Sequence, residues 1–206
     1  MSWFSRTPLE AVRWAVIDCE TSGLDARRAR LLSVGAVRVH DGRIDLGGAY
    51  SALVRQTEPS EAENILVHGI GGEAQAHGEP LEAVQASLSA FLGDAVPAAF
   101  HAGFDEKVLR RHGVRAPRAW LDLARLAAAL FPDDAPKLHS LDDWLGRFGI
   151  APAARHDALG DAFAAAQLLL VLLARARGEG LATVEALVSV ANDAHWLVPN
   201  GRLNPS

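Results

Sequence analysis

"WAVIDCETSGLD", residues 14–25, runs an apolar segment into two carboxylates, Asp18 and Glu20, on either side of the only cysteine in the chain, Cys19. In a strand, residues two apart share a face, so Asp18 and Glu20 project the same way while Cys19 points opposite. Neighbouring carboxylates repel. A strand end tolerates them when something positive sits between, and a divalent cation with oxygen ligands is the simplest candidate. For an isolated Asp-x-Glu a solvated strand end is the plainer explanation, so the pair acquires meaning only through partners elsewhere in the chain.

The surrounding pattern sets the class. "WAVIDCE" (14–20), "LLSVGAVRVH" (31–40) and "GRIDLGGAYSALVR" (42–55) read as strands, and "DG" at 41–42 is a two-residue hairpin signal that makes the second and third antiparallel neighbours. A turn-rich passage with Pro59 and "HGIGG" (68–72) follows. "PLEAVQASLSAFLG" (80–93) then has helical spacing and a closing glycine. "AVPAAFH" (95–101) is a short strand leading into the helix "FDEKVLRRHG" (104–113). The remainder reads as helices over 119–131, 138–149, about 157–177 and 181–196. Strands first, one later strand between helices, and helices to finish predict an α/β fold: a mixed β-sheet, antiparallel over its first three strands and then parallel, flanked by helices.

Two further acidic segments complete the constellation. Asp105 in "FHAGFDEKVL" stands just past the strand 95–101, where α/β sheets gather functional groups; alone it reads equally as a first-turn acid favoured by the helix dipole, and His101 as a hydrogen-bonded strand-end residue. "RHDALGDA" supplies His156 and Asp161. Five residues along a helix turn through about 500°, so the two cannot converge from one regular helix. His156 belongs on the entering loop and Asp161 in the first turns, with Asp157 between them as an N-cap or first-turn acid.

In order, spacing and context, "DCETSGLD", "HAGFD" and "HDALGD" resemble the three motifs of the DEDDh exonucleases, the DnaQ-like group of the RNase H-like fold. The likeness covers roughly residues 12–175, and "LLSVGAVRV", "VHGI" and "LDDWLGRFGI" also resemble family segments. It implies that Asp18, Glu20, Asp105 and Asp161 bind two divalent ions, Mg²⁺ or Mn²⁺, and that His156 is the general base. It further implies that Thr21, Gly23, Leu24 and His101 border the 3′-terminal nucleotide, with Leu24 against a base. A turn that needs Gly23 would explain the glycine alone. Two positions depart from the common pattern: Ala102 where many relatives have Asn, and Ser22 where many have Thr.

The chemistry fits the residue types. A phosphodiester is already anionic, and two cations about 3.5–4 Å apart neutralise the charge that builds on the entering and leaving oxygens. A histidine with a reference pKa near 6.5 can take a proton from the attacking water near neutral pH. The expected activity is 3′-to-5′ exonuclease hydrolysis of single-stranded nucleic acid, DNA favoured, releasing nucleoside 5′-monophosphates. An enzyme trimming RNA or short oligonucleotides is the nearest alternative, and a non-catalytic module binding nucleic acid or a polymerase is a rival of another class. The presence of all five motif residues argues against the last.

The totals are compatible with this. The chain of 206 residues is half hydrophobic and 22% charged, enough for one core. A net charge of −5 argues against a general nucleic-acid coat protein, because such binding rests on Lys and Arg. A lone cysteine excludes an internal disulfide framework and fits a reducing compartment, so cytoplasm is the expected location. The first ten residues do not read as a signal peptide, and "AFAAAQLLLVLLARA" (162–176) is too short to span a bilayer, so it reads as a buried helix and no membrane association is expected. Arg27, Arg28, Arg30 and Arg110, Arg111, Arg115, Arg118 read as solvated faces, and Trp120, Trp144 and Phe148 as core. The expected organisation is an exonuclease domain over 1–177 with a C-terminal helical extension, 178–206, packed on it or docking a polymerase or a second copy.

Overall fold

The computed structural model describes residues 8–152 and 157–194. A five-stranded sheet runs in the order β3-β2-β1-β4-β5. The strands are β1 (Trp14–Thr21), β2 (Leu31–His40), β3 (Arg43–Leu53), β4 (Val96–Ala99) and β5 (Leu121–Asp122). β1 pairs antiparallel with β2 and parallel with β4, β3 extends the antiparallel side, and β5 pairs parallel with β4. The mixed sheet expected from the strand order is therefore present. The hairpin between β2 and β3 turns on Asp41 and Gly42, with φ of 51° and 68°, the pair of positive values that a type I′ turn requires.

The helices are α1 (Ala62–His68), α2 (Gly72–Ala76), α3 (Leu81–Leu92), α4 (Ala102–Arg111), α5 (Leu123–Leu130), α6 (Leu141–Arg147), α7 (Ala158–Gly178) and α8 (Val184–Asp193). β1 is buried on both faces, which is why its sequence is a continuous apolar run rather than an alternation. Trp14 and Val16 face a core built with α5, α6 and α7, while Ala15, Ile17 and Cys19 face a second core built with α3 and α4. α7 is about 31 Å long at 1.5 Å per residue and is the central helix of the first core. It is also the one described helix long and apolar enough to cross a bilayer, and more than half of its most apolar window is covered by the protein.

Several expected elements differ from the observed ones. The run 119–131 was expected to be one helix, but Leu121 and Asp122 within it form β5; Asp122 then caps α5 by accepting a hydrogen bond from the Arg125 N–H. A two-residue strand leaves no period in the sequence. The turn-rich passage after Pro59 contains α1 and α2, each too short to show a helical repeat. β4 ends at Ala99, short of the expected 101, and α4 begins at Ala102. The last expected helix is observed over Val184–Asp193, and its expected final residues, 195 and 196, lie outside the described ones. α8 lies on α5 and β5, with Leu187 and Ala191 buried in the first core. Trp144 is buried and stacks on Phe148, whereas Trp120 is only partly buried.

Candidate active site

The site forms at the carboxyl end of β1, beside the point where β4 stops and α4 departs. β1 delivers Asp18 and Glu20 onto the face covered by α7, and a register irregularity between Glu20 and Thr21 bends the strand end. Asp157 caps α7 by accepting a hydrogen bond from the Gly160 N–H at 2.9 Å, as the sequence suggested for it. That cap places Asp161 in the first turn, only 7% exposed. Carboxylate oxygens of Asp18, Glu20 and Asp161 all lie within 4.8 Å of one another. At an effective dielectric of 20, two unit charges at that separation repel by about 3.5 kcal/mol, so three ionised groups make a strongly cation-attracting centre.

Asp105 stands apart from this trio. It is buried in the first turn of α4, on the Cys19 side of β1, and its carboxyl accepts hydrogen bonds from the Cys19 thiol and backbone N–H. β4 pairs with β1 only as far as Val16, so Asp105 occupies the edge of β1 that the ended strand leaves open. Burial pushes the Asp105 carboxyl up to about 8, against the hydrogen bonds from Cys19, which favour the ionised form. The same burial, reinforced by Asp105 and Asp18, raises the Cys19 thiol well above its usual range. Cys19 is thus a neutral donor to Asp105.

His101 is the N-cap of α4 rather than a strand residue, with φ of 61° and ψ of 48°. A non-glycine residue held in the left-handed region is strained, and such strain concentrates at functional sites. Its ring packs edge-on against Phe100 at 4.6 Å and bonds the backbone of His139. Burial lowers its pKa, opposed by the nearby Asp122. His156 lies outside the described residues.

The turn after β1 is tied down by its own atoms. Thr21 Oγ1 donates to the Gly23 carbonyl at 2.7 Å, and Ser22 exchanges bonds with Arg30 through its N–H and its Oγ. Asn64 on α1 donates to the Ser22 carbonyl at 2.6 Å, so α1 forms a wall beside the turn. Asn64 carried no signal in the sequence, because α1 itself was not legible. The fold does not require Gly23: its φ is not positive and an added Cβ would meet nothing within 4 Å. Leu24 is 60% exposed next to it, an apolar side chain held out to solvent. Of the sequence-predicted site, the structure gathers Asp18, Glu20 and Asp161, sets Asp105 and His101 at the same end of the sheet, and presents Thr21, Gly23 and Leu24 on an adjoining ordered turn.

Solved structures show the fold. A complex of exonuclease X with 5′-overhanging duplex DNA superposes with a TM-score of 0.70 at 24% identity, over 86% of this chain and 99% of that one. E. coli exonuclease I in complex with a dT13 oligonucleotide gives 0.67 at 17% identity, over 82% and 42%. The fold is the RNase H-like fold of these nucleases. A family model described as exonuclease matches residues 15–169, and the chain belongs to that family, in the DnaQ-like group its motifs resemble. Among relatives, a DNA polymerase III subunit epsilon-like protein of Rhodobacter capsulatus is 34% identical over 195 residues, 91% of this chain and 27% of that protein. A PolC-type DNA polymerase III of Thermotoga petrophila is 29% identical over 166 residues, 78% of this chain and 12% of that protein. The chain thus spans about a quarter of the first relative and far less of the second.

Proposed function

We propose that the protein is a 3′-to-5′ exonuclease that hydrolyses single-stranded nucleic acid, DNA in preference to RNA, and releases nucleoside 5′-monophosphates. The observation that carries this is the convergence of Asp18, Glu20 and Asp161 within 4.8 Å at the end of β1, in a chain of the exonuclease family. The donor set fits a hard divalent cation: all oxygen, all carboxylate, and gathered closely enough for one ion to draw all three oxygens onto itself by small side-chain movements. Asp18, Glu20 and Asp161 would hold it, with Asp105 completing a second position once it exchanges its contacts with Cys19 for the ion. Two Mg²⁺ ions, or Mn²⁺, would supply charge neutralisation for the entering and leaving oxygens of the phosphodiester.

The other roles fall to the chain's own groups. His156, just ahead of the Asp157 cap, accepts the proton of the attacking water. Thr21, Gly23 and Leu24 border the terminal nucleotide: the side-chain-free Gly23 leaves room above the turn, and Leu24 offers an apolar face to a base. His101 lines the far side at the start of α4. Residues 1–177 form the nuclease domain, with 178–206 as an extension. The polymerase III names of the relatives favour a polymerase as partner over a second copy.

The test is digestion of labelled single-stranded DNA and RNA side by side, with Mg²⁺ or with excess chelator. DNA shortening to mononucleotides, faster than RNA and silent in chelator, is expected. Faster RNA trimming would reassign the substrate, and undiminished digestion in chelator would defeat the cation reading.

A further inference from the structure

We propose that Gly35 is a positioning residue for the acidic site: its missing side chain lets the first turn of α7 lie on β2 closely enough to bring Asp161 to Asp18 and Glu20. This rests on the reading of those three acids as a cation site. A Cβ built on Gly35 would fall 2.3 Å from the carbonyl carbon and oxygen of Ala158 and 2.3 Å from the Leu159 nitrogen. All three are backbone atoms, which no rotamer change can move aside. The φ of Gly35 is not positive, so the position demands space rather than an unusual backbone.

The register connects this contact to the chemistry. Gly35 is the direct cross-strand partner of Asp18, and Ala158 lies one turn ahead of Asp161 on α7. The helix turn seated on Gly35 is therefore the turn that presents Asp161, and the residues just before it are Asp157 and His156. β2 cannot yield, because it is hydrogen-bonded between β1 and β3. Farther along, α7 is anchored by the fully buried Leu168, Leu169 and Leu172. An added methyl group must therefore lever the amino end of α7 outward. Ordinary contact begins at 3.4 Å, so the turn has to retreat by about 1 Å. A cation with bonds near 2.1 Å does not absorb a ligand shift of that size.

The experiment is calorimetric titration of the full chain with Mn²⁺ in the absence of nucleic acid, accompanied by steady-state kinetics. Gly35→Ala is expected to bind Mn²⁺ at least tenfold more weakly than the wild type and to lose kcat rather than raise KM. Adding Asp161→Glu, whose longer side chain reaches back across the displaced turn, is expected to restore part of the affinity in the Gly35→Ala background while weakening it in the wild type. Leu88→Ala, in the core on the opposite side of the sheet, is the control: it lowers the melting temperature but leaves Mn²⁺ affinity unchanged. If Gly35→Ala does not fold, Ala162→Val presses on the same helix face one turn along and is expected to weaken Mn²⁺ binding as well. A folded Gly35→Ala with wild-type affinity overturns the proposal, as does an Ala162→Val without effect or an equal loss in Leu88→Ala. A wild type that binds no Mn²⁺ removes instead the cation-site reading beneath it.

Discussion

Replacing Asp161 by asparagine removes one charge from the acidic cluster while keeping size and shape, and the expected consequence depends on metal. Asp161 lies within 4.8 Å of both Asp18 and Glu20, so the substitution abolishes two repulsive pairs. At the bulk-water limit each pair is worth about 0.9 kcal/mol, and at an effective dielectric of 20 about 3.5 kcal/mol. Asp18 and Glu20 are partly buried and Asp161 is buried, which places the relief above the lower limit, at about 2 kcal/mol or more for the two pairs. For a domain of this size each kcal/mol moves the melting temperature by about 2–4 °C. In chelator, Asp161→Asn is therefore expected to melt at least about 4 °C above the wild type. With Mg²⁺ at a hundred times its dissociation constant the wild type gains about 2.7 kcal/mol and the variant almost none, so the advantage of the variant shrinks by that amount. Thermal denaturation monitored by circular dichroism, with and without Mg²⁺, reads both effects, and activity should be lost in either case. A variant no more stable than the wild type in chelator would show that the three carboxylates do not repel, and one with the same Mg²⁺-induced rise that Asp161 is not a ligand.

Other outcomes follow from the same geometry. His156→Ala is expected to slow hydrolysis by about 10²- to 10⁴-fold while calorimetry still shows metal binding, and higher pH should partly restore the rate. Loss of metal binding would make His156 a ligand instead. Burial pushes Asp105 up to about 8, so its contribution to stability falls as pH rises from about 4 to 8. Against that trend, His68 and His112 should contribute stability that grows with pH up to about 6.5, because both are held neutral: burial lowers both, His68 Nδ1 accepts the Ile70 N–H and His112 Nε2 accepts the Leu31 N–H. Each histidine's folded-state pKa lies below the unfolded value, so the contribution is complete above the unfolded pKa and disappears as pH falls through the folded one. His112→Gln should flatten part of that profile in urea titrations across pH 5–7. Deleting residues 180–206 should lower the melting temperature by several degrees by uncovering the surface of α5 that buries Leu187 and Ala191, and an unchanged temperature would assign α8 to partner docking.

The sequence reveals those features that repeat or pair locally. β1 to β3 were legible because long apolar runs and an Asp-Gly turn impose their own spacing, and α7 because 21 residues sustain a pattern. β5 was not, since two residues have no period and the helix that follows supplies the visible signal. α1 and α2 escaped for the same reason, and with them Asn64, whose grip on Ser22 depends on a contact 42 residues away in the chain. At the site, the alternation of β1 correctly put Asp18 and Glu20 on one face, but that rule says nothing of where a residue from another element arrives. Asp105 reaches β1 from the Cys19 side because β4 ends early, a consequence of strand length that no motif encodes. Gly35 shows the converse: a glycine inside a strand signals close backbone approach, but only the fold reveals that α7 is what approaches.

In the proposed reaction the site removes nucleotides from a free 3′ terminus. The most direct measurement follows a 5′-labelled single-stranded DNA in Mg²⁺, in three forms: with a 3′-hydroxyl, with a 3′-phosphate, and closed into a circle. Stepwise shortening of the first with release of nucleoside 5′-monophosphates, strong inhibition of the second and no cleavage of the third are expected. Cutting of the circle, or digestion of the blocked strand at the rate of the free one, would contradict the proposed reaction.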